Sequence, residues 1–340
     1  MIQRNTYRMM PKAGSIKNLQ LVTEDLQSPE PDEVAVAVKS IGLNFADIFA
    51  MYGLYSATPK GSFVPGLEYS GEVLAVGEHV KQYKVGDRVM GVTRFGGYAS
   101  HINIQEQYLS PLPEDWSFEE GAAFLVQALT AYYALVYLGN LKQGGTVLVH
   151  SAAGGVGLLA NKIAKTYGAT TIGAVGSEAK LALLKAQGYD HGIVRGKHFK
   201  QDLIKALGDK PLDVVLECIG GKYFTDSYDA MTKQGRLVVY GSARYGQTTS
   251  RPNYFKLVWQ YLTRATLDPQ KMIEENKSVM GFNLIWLYEQ EELMQEVLGG
   301  LYKLDIGKPH VGHTFNFEKI HEAIQLFQSG HTVGKVVVNI

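Results

Sequence analysis

A turn of small residues between Ala152 and Gly157 carries the clearest chemical signal in this sequence. It follows the apolar run 147–149 and precedes apolar residues at three- and four-residue steps, which predicts a strand, a turn and a helix. A second apolar run, 171–175, completes a βαβ unit. Backbone N–H groups and the positive end of the helix dipole converge at such a turn and bind anions. The turn therefore predicts a phosphate site.

The turn matches the pattern A-x-G-x-x-G, with Ala152 where dinucleotide-binding turns usually have a first glycine. A glycine at 154 lets the backbone approach a pyrophosphate, and Gly157 lets the helix pack closely on the strand. A flexible linker is the alternative, which the position between a strand and a helix disfavours. We therefore expect the backbone of the turn to approach a dinucleotide at Gly154.

The end of the second strand predicts which dinucleotide is bound. NAD-selective sites place Asp or Glu there, where it accepts hydrogen bonds from the ribose. Here the position is Gly176, followed by Ser177 and Lys180, and Arg195 ends the third predicted strand. A 2′-phosphate adds about two negative charges, so a missing carboxylate beside cations favours NADP(H). Glu178 opposes this weakly because it is predicted to point outward, and ordinary solvation of both cations is the open alternative.

These residues require a sheet of parallel strands to position them. Strand and helix patterns alternate from 146 to 286, which predicts an α/β fold with a doubly wound, six-stranded parallel sheet and a crevice at the strand carboxyl ends. The later strands are predicted at 192–195, 213–218, 236–240 and 279–282, and the helices between them at 178–187, 200–207 and 223–231. The strand ends supply Ser151, Gly176, Arg195, Gly220, Gly241 and Phe282.

Two flanking regions have a different character. Residues 1–123 are rich in short strands and turns, which predicts a compact β-barrel-like unit. A helix is predicted from 118 to 138 with Ser117 as its cap, and another from 290 to 304 before a β-rich tail. Residues 250–275 interrupt the alternation, and Trp259 and Tyr261 would be costly to expose. That segment predicts a subunit contact or a pocket wall, with a surface excursion as the alternative.

Composition excludes several classes of function. A length of 340 residues suggests two domains. Lys plus Arg and Asp plus Glu both number 33, so no net charge attracts nucleic acid. A single cysteine, Cys218, excludes an intramolecular disulfide and fits a cytoplasmic protein. We find no signal peptide and no segment approaching the roughly 18 apolar residues of a spanning helix, so we expect no integral membrane segment.

Several ordered motifs together resemble one known family. They are GLNFAD at 42–47, GLY at 53–55, PGLE at 65–68, GDRV at 86–89 and AAGGVG at 152–157. This set resembles the zinc-independent quinone oxidoreductases of the medium-chain dehydrogenase/reductase superfamily over nearly the whole chain. Residues 125–141 and MGFNLIWL at 280–287 are most similar to the vesicle amine transport protein homologues within it.

The resemblance implies a domain organisation. A GroES-like catalytic domain would comprise 1–123 and 287–340, a Rossmann domain would comprise 124–286, and the active cleft would lie where they meet. A homodimer is the family expectation. In zinc-dependent relatives a cysteine and a histidine occupy the positions of Asn44 and Leu67, and the only cysteine here lies in a predicted Rossmann strand. The ligands of a catalytic zinc are therefore missing, and we expect no metal.

The resemblance also assigns two catalytic candidates, Asn44 and Tyr55, beside the nicotinamide and the substrate. Without a Lewis acid, hydrogen-bond donors must activate the acceptor, and the Tyr55 hydroxyl would donate to a developing enolate or quinol oxygen. Ordinary packing of Tyr55 is an equally open alternative, and a second family tyrosine is Phe49 here. For Asp47 a helix cap is favoured over a general base. For Glu68 a structural hydrogen bond is favoured.

Further cofactor contacts follow only from the resemblance. They are Ala153, Gly155, Val156, Thr130, Tyr240, Gly241, Ser242, Phe282, Asn283 and Lys335. The Thr130 hydroxyl could instead bond its own helix backbone. Packing of Phe282 and solvation of Lys335 are equally open.

Two classes of function remain. The first is an NADPH-dependent reductase of small-molecule quinones or α,β-unsaturated carbonyls. The second is an NADPH-binding sensor or interaction protein with little turnover, since a fold and a dinucleotide site do not establish chemistry. A zinc alcohol dehydrogenase is disfavoured by the missing ligands.

Overall fold

Fifteen strands form three sheets within residues 2–246 and 248–340, the part of the chain that the computed structural model describes. In chain order they are β1 (Ile2–Met9), β2 (Leu19–Leu26), β3 (Glu33–Gly42), β4 (Glu68–Val76), β5 (Arg88–Val92), β6 (His101–Gln105), β7 (Leu109–Pro111), β8 (Thr146–His150), β9 (Thr170–Val175), β10 (His191–Val194), β11 (Val214–Glu217), β12 (Arg236–Val239), β13 (Ser278–Gly281), β14 (Val311–Asn316) and β15 (Lys335–Asn339).

The α-helices connect these strands. In chain order they are α1 (Phe45–Tyr52), α2 (Phe118–Gly121), α3 (Leu125–Tyr132), α4 (Gly155–Thr166), α5 (Leu181–Ala186), α6 (Phe199–Leu207), α7 (Lys222–Ala230), α8 (Tyr254–Leu262), α9 (Pro269–Glu275), α10 (Leu284–Leu287), α11 (Glu291–Tyr302) and α12 (Ile320–Gln328). A π-helical segment, Tyr133–Leu138, continues α3.

Packing divides the chain into two units. The first contains the described residues up to Val126, the described segment that ends at Asn253, and Lys308–Ile340. The second contains Gln127–Gly246 and Tyr254–Gly307. The boundaries expected from the sequence were 123/124 and 286/287, whereas the second unit continues to Gly307. Helix α11 belongs to it because Gly300 packs directly against the Tyr132 hydroxyl of α3, where a Cβ would come within 2.1 Å.

The sheet of the first unit is antiparallel apart from one pair and is completed by the C-terminal tail. Its strand order is β14-β15-β3-β4-β5-β7, and β6 also pairs with β3. The tail strand β15 runs antiparallel to β3, with Val337 opposite Gly42, and β14 runs parallel to β15. This pairing brings the start of β15 to the carboxyl end of β3, although the two are far apart in sequence.

The sheet of the second unit has the order β10-β9-β8-β11-β12-β13, and its strands are parallel. This is the doubly wound order in which ligands bind at the carboxyl ends of the strands. The predicted fold class is therefore confirmed. The strands are nearly continuous apolar runs because helices cover both faces of such a sheet. Predicted and observed elements of this sheet differ by one or two residues at their ends, and residues 178–180 of the predicted helix 178–187 form a 3₁₀ turn.

The helix predicted from 118 to 138 is interrupted after α2. Ser117 caps it as predicted, because its hydroxyl accepts from Glu120 N at 3.2 Å and Glu120 Oε2 accepts from Ser117 N at 2.7 Å. The break has a tertiary cause, since Glu68 Oε2 accepts from Val126 N at the start of α3, at 3.2 Å. A buried carboxylate in the first unit thus takes a helix N–H that continuous helix would have used internally.

One stretch among the described residues, Phe118–Leu138, is long and apolar enough to cross a membrane by length and composition alone. The expectation that no segment approaches the length of a spanning helix is therefore wrong by length and composition. However, 78% of the apolar window is buried inside the protein. Buried core helices of non-membrane proteins pass the same test, so the stretch is weak support for a membrane span.

Candidate functional site

The glycine turn begins α4 in the geometry that the sequence predicts. Gly154 is the N-cap, with φ −86° and ψ 171°, and the helix starts at Gly155. A Cβ on Gly157 would lie 2.6 Å from Ala152 Cα, so any side chain there would push the helix away from the turn. The first turn of α4 is held close to the end of β8, which directs its backbone N–H groups toward the carboxyl edge of the sheet.

Residues that follow the strands meet at that same edge. Ser151 follows β8 with a positive φ of 52°, and Tyr240 follows β12 with its hydroxyl 3.4 Å from His150 O. A Cβ on Gly241 would lie 3.1 Å from Cys218 Cβ, so the turn after β12 packs on the turn after β11. Ser242 then begins a 3₁₀ turn, Ala243–Tyr245. The predicted cofactor residues on these strands thus share one edge.

A buried carboxylate that the sequence analysis did not single out fixes the turn after β11. Glu217 Oε1 accepts from Ile219 N and Gly220 N, both at 2.8 Å. Burial raises the pKa of Glu217, and the two N–H groups and Arg195 counteract that shift. Because the carboxylate is used internally, it supports the edge without facing a ligand. An acidic residue three positions before the pair Gly220-Gly221 was the available signal.

Arg195 lies beside Gly176 at the end of β9, and Lys180 lies near Arg195. A Cβ on Gly176 would be 3.4 Å from Arg195 Nη2, while Arg195 Nη1 donates to Ala174 O at 3.1 Å. Burial, followed by the charge of Arg195, lowers the pKa of Lys180. The position at which NAD-selective proteins carry an acid is therefore bordered by an arginine, with a lysine close enough to feel its charge.

The remaining predicted cofactor residues divide between the two units. Thr130 is buried on α3, and the Phe282 ring packs edge-on against Tyr133 with centroids 4.9 Å apart. Asn283 is the N-cap of α10. Ser177 is exposed just before the 3₁₀ turn that carries Lys180. Lys335 differs from all of these because it lies in the first unit, fully buried.

The ammonium of Lys335 completes a polar cluster with Asn44 and Glu68. Lys335 Nζ donates to Asn44 Oδ1 at 2.9 Å and also to Glu68 Oε1. Asn44 Nδ2 in turn donates to Glu68 Oε1 at 3.0 Å and to Gly42 O at 3.2 Å. The three side chains are 7% exposed or less. The cluster orients the Asn44 amide, whose oxygen faces a cation and whose nitrogen faces a carboxylate.

Gly42 makes room for this cluster. A Cβ at that position would lie 2.0 Å from Ala122 O and 2.7 Å from Lys335 Cε. Burial lowers the pKa of Lys335, and the neighbouring Glu68 carboxylate partly offsets that shift. The solvation predicted as an alternative for Lys335 is therefore wrong, since its ammonium is held by protein atoms instead.

Asp47 adds a second carboxyl to the same buried region. Its Oδ2 accepts from Asn44 N at 2.8 Å and from the Tyr98 hydroxyl at 3.0 Å, which confirms the favoured helix-capping role. Burial raises the pKa of Asp47 to about 7, against the opposing effects of these two donors and of Lys335. Sequence reasoning missed Tyr98, which the chain supplies 51 residues later.

We expect Asp47 to make the stability of the protein depend on pH. Its folded-state pKa of about 7 exceeds the unfolded value near 3.8, so the folded state binds more protons between these values. This stabilising contribution is complete below the lower value and is lost as the pH rises through the upper one. Relative to Asp47→Asn, the wild type should lose about 1–3 kcal/mol of unfolding free energy across that window.

Urea unfolding of both proteins at several pH values across that window measures the difference. The exposed Asp209→Asn serves as the matched control, and its difference from the wild type should stay flat. A flat difference for Asp47→Asn as well would contradict the assignment.

Tyr55 lies at the opposite end of α1 from Asn44. The helix of eight residues spans about 12 Å and ends at Gly53, whose φ is 73°. Tyr55 is half-buried and packs against the apolar core of the first unit, so the packing alternative is present in the structure. Thr58 Oγ1 donates to Tyr55 O at 2.7 Å and fixes the local turn. The catalytic roles of Tyr55 and Asn44 stay predictions.

Comparison with known proteins places this arrangement among dehydrogenases. The family described as alcohol dehydrogenase GroES-like domain matches residues 30–114, and the family described as zinc-binding dehydrogenase matches 155–298. A human protein named synaptic vesicle membrane protein VAT-1 homolog is 34% identical over 314 residues, covering 92% of this chain and 80% of its own. A quinone oxidoreductase-like protein 2 homolog from Nematostella vectensis is 33% identical and covers 94% and 86%.

A solved structure of a quinone oxidoreductase is also similar to this chain. The quinone oxidoreductase of Escherichia coli, complexed with NADPH, superimposes with a TM-score of 0.84 at 27% identity, and the match covers 100% of both chains.

Zinc, which one family description implies, does not fit the residues of this chain. A catalytic zinc takes three protein ligands, drawn mainly from Cys, His and carboxylates. Cys218 is buried after β11, with its Sγ 3.9 Å from His150 O, and the Asn44–Glu68 pair already holds the ammonium of Lys335. Across 2–246 and 248–340, no group of three or more His, Cys, Asp or Glu side chains is placed to hold a metal ion.

Proposed function

Because the chain belongs to the medium-chain dehydrogenase/reductase superfamily, we propose that it is an NADPH-dependent reductase of quinones or α,β-unsaturated carbonyls. The observation that carries the proposal is Arg195 beside Gly176, with Lys180 close enough to feel its charge, at the carboxyl edge of a doubly wound sheet. The relatives named as quinone oxidoreductases, one of them in complex with NADPH, support the reaction class.

The residues of the second unit fit an NADP(H) dinucleotide. The N–H groups at Gly154, Gly155 and Val156 would hold the pyrophosphate, because the glycine turn leaves the start of α4 open to an anion. Arg195 and Lys180 would hold the 2′-phosphate. Its negative charge would offset the repulsion between these two cations. When bound, the nicotinamide supplies a hydride to the acceptor.

Tyr55 and Asn44 are the residues that we propose for the acceptor's part of the reaction. We assign the proton to the Tyr55 hydroxyl, which donates to the oxygen on which negative charge develops. Lys335 and Glu68 fix the orientation of the Asn44 amide, whose nitrogen already donates to Glu68 Oε1 and Gly42 O. Asn44 is therefore proposed to position the groups around the acceptor, and the hydrogen bond to the acceptor oxygen is left to Tyr55.

Replacing Tyr55 with phenylalanine should lower kcat about 100-fold at an unchanged NADPH dissociation constant. The side chain keeps its packing against the core, so the loss reports on the hydroxyl alone. Steady-state kinetics with a quinone and fluorescence titration with NADPH measure the two quantities. The half-buried Tyr108→Phe, in the same unit, is the matched control and should retain activity. Full activity of Tyr55→Phe would show that its hydroxyl does not deliver the proton.

The function itself is tested by NADPH oxidation against a panel of quinones and enones, with NADH as the comparison. We expect turnover with at least one acceptor and a clear preference for NADPH. No turnover with any acceptor, despite micromolar NADPH binding, would favour the second candidate, an NADPH-binding sensor or interaction protein. That candidate draws support from Phe49, which replaces a second tyrosine, and from the relatives named after synaptic vesicle membranes.

We further propose that the protein acts in the cytoplasm as a homodimer. Strand β13 ends the sheet of the second unit, and within the described residues no strand pairs with its outer edge. An open edge strand is a surface on which a second copy can extend the sheet.

A further inference from the structure

Arg244 lies against the glycine turn that follows β11. A Cβ on Gly220 would be 3.7 Å from Arg244 Cδ, and a Cβ on Gly221 would be only 2.2 Å from Arg244 Nη1. The arginine side chain therefore runs along the turn and fills the space that a side chain at Gly221 would need. Both glycines have positive φ angles, 82° and 61°, which other residues rarely adopt. The turn thus leaves room for a guanidinium at the carboxyl edge of the sheet.

The backbone around Arg244 is fixed to the same strand end. Arg244 N donates to Ile219 O at 3.2 Å, and Ala243 N donates to Cys218 O at 2.7 Å. In the guanidinium, Nη2 donates to Thr263 O at 3.1 Å, just after the end of α8. The side chain is therefore held at its base and at one nitrogen, so its place at the edge does not require a ligand.

Helix α8 supports this arrangement through its polar side. Gln260 Nε2 donates to Arg244 O, which ties the helix to the segment after β12. The aromatic face of α8, which includes Phe255 and Trp259, is open to solvent, with these side chains 92% and 68% exposed. The sequence predicts a pocket wall or a subunit contact for this segment, and the described chain itself does not cover the face. What α8 contributes to the sheet edge is the anchor of Arg244.

The other N–H groups of Arg244 have no protein acceptor in the part of the chain that the structure describes. Nε is buried without a hydrogen-bond partner, and the hydrogen bonds of the guanidinium to described residues come from Nη2. Glu217, the acid that precedes the turn, already accepts from two backbone N–H groups. No Asp or Glu occurs between Asp229 and Asp268. A guanidinium with unused donors binds phosphate or carboxylate oxygens best.

We propose that Arg244 binds the pyrophosphate of the dinucleotide, an inference that rests on the proposed NADP(H) site. In a doubly wound sheet the dinucleotide crosses the carboxyl edge where the strand order reverses. Here the order reverses between β8 and β11, and Arg244 lies on the turn after β11. The start of α4 follows β8. The pyrophosphate therefore meets helix N–H groups after one strand and the guanidinium after the next.

Arg244 and the cations near Gly176 then recognise different parts of the ligand. NADPH and NADH carry the same pyrophosphate, whereas only NADPH carries the 2′-phosphate that we assign to Lys180 and Arg195. Loss of Arg244 should therefore weaken both dinucleotides by the same factor. Loss of Lys180 and Arg195 should instead change the ratio between them.

The test compares NADPH and NADH with adenosine 2′-monophosphate, which carries the 2′-phosphate but no pyrophosphate. Fluorescence titration gives the dissociation constants of the two dinucleotides, and isothermal titration calorimetry gives that of the nucleotide. Arg244→Met should weaken both dinucleotides about 10- to 100-fold and leave adenosine 2′-monophosphate unchanged. Arg244→Lys should recover part of the loss, because it keeps the positive charge.

The matched control is Arg264→Met. Arg264 is an exposed arginine just after α8, and its guanidinium lies 3.9 Å from the centroid of the Tyr261 ring. Its replacement should leave all three dissociation constants unchanged. Equal unfolding temperatures of the wild type and the Arg244 variants would show that the fold is intact.

Two results would overturn the inference and leave the proposed function in place. One is an Arg244→Met variant that binds both dinucleotides as tightly as the wild type. The other is an equal loss for adenosine 2′-monophosphate, which would show that the substitution disturbs the whole site. A wild type that binds neither dinucleotide would overturn both proposals. Because the titrations need no acceptor, the reductase activity is judged separately by turnover.

Discussion

Replacing Lys335 with methionine should lower the free energy of unfolding by about 3–5 kcal/mol. The substitution keeps the apolar length of the side chain but removes the cation that Glu68 and Asn44 surround. Glu68 is 1% exposed, so its charge would remain buried without a counterion. Burying an uncompensated charge costs far more than losing a surface ion pair, which is why the expected effect is large.

Urea unfolding measures this loss, and a double substitution separates charge from packing. Lys335→Met/Glu68→Gln removes both charges. The glutamine amide keeps polar atoms where the carboxylate contacts Val126 N and Asn44, so the double variant should recover much of the lost stability. The control is Lys39→Met, which breaks the exposed pair with Glu72 at 3.4 Å and should cost less than about 1 kcal/mol. A Lys335→Met variant as stable as Lys39→Met would contradict the buried ion pair.

Replacing both Lys180 and Arg195 with alanine should weaken NADPH binding about 100- to 1000-fold and NADH binding about threefold or less. Each cation contributes a charge-assisted hydrogen bond to the 2′-phosphate, which NADH lacks. Burial and, after it, the charge of Arg195 lower the pKa of Lys180, and a bound phosphate would relieve the repulsion between the two cations, which adds to the effect. Fluorescence titration with both dinucleotides measures the ratio of the dissociation constants.

Lys185→Ala, an exposed lysine on α5, is the matched control and should leave the ratio unchanged. Gly176→Asp tests the same site from the opposite direction, since it restores the acid of NAD-selective proteins beside Arg195. Gly176→Asp should weaken NADPH binding more than NADH binding. Equal losses for both dinucleotides in the double variant would show that the cations do not read the 2′-phosphate.

The strands and helices of the second unit were predictable because each carries a local signal. Short apolar runs, helical spacing and glycine turns alternate there, and a fully buried parallel sheet requires that pattern. The helix at 118–138 was predicted as continuous for the same reason, since its residues favour a helix throughout. Its interruption depends on Glu68, which takes the N–H of Val126 from a distant strand. No local pattern contains that hydrogen bond.

Some residues of the candidate site were likewise predictable from local sequence, and others were not. The turn at 152–157 and the missing acid at Gly176 lie within one βαβ unit, so their proximity follows from the connection itself. The position of Arg195 near Gly176 follows once the next strand, β10, pairs with β9. Lys335 and Asn44, by contrast, are 291 residues apart, and Asp47 and Tyr98 are 51 apart. The burial that raises the pKa of Asp47 exists only once these strands have assembled.

The sequence by itself determined the α/β class, the glycine turn that begins α4 and the absence of an acid at Gly176, because each depends on residues that lie close together in the chain. Only the tertiary structure decided that Lys335 pairs with Glu68 and Asn44, and that the aromatic face of α8 points outward. The physical reason is that burial and electrostatic pairing are properties of the packed chain. The same lysine is solvated or buried according to which strand lies opposite it.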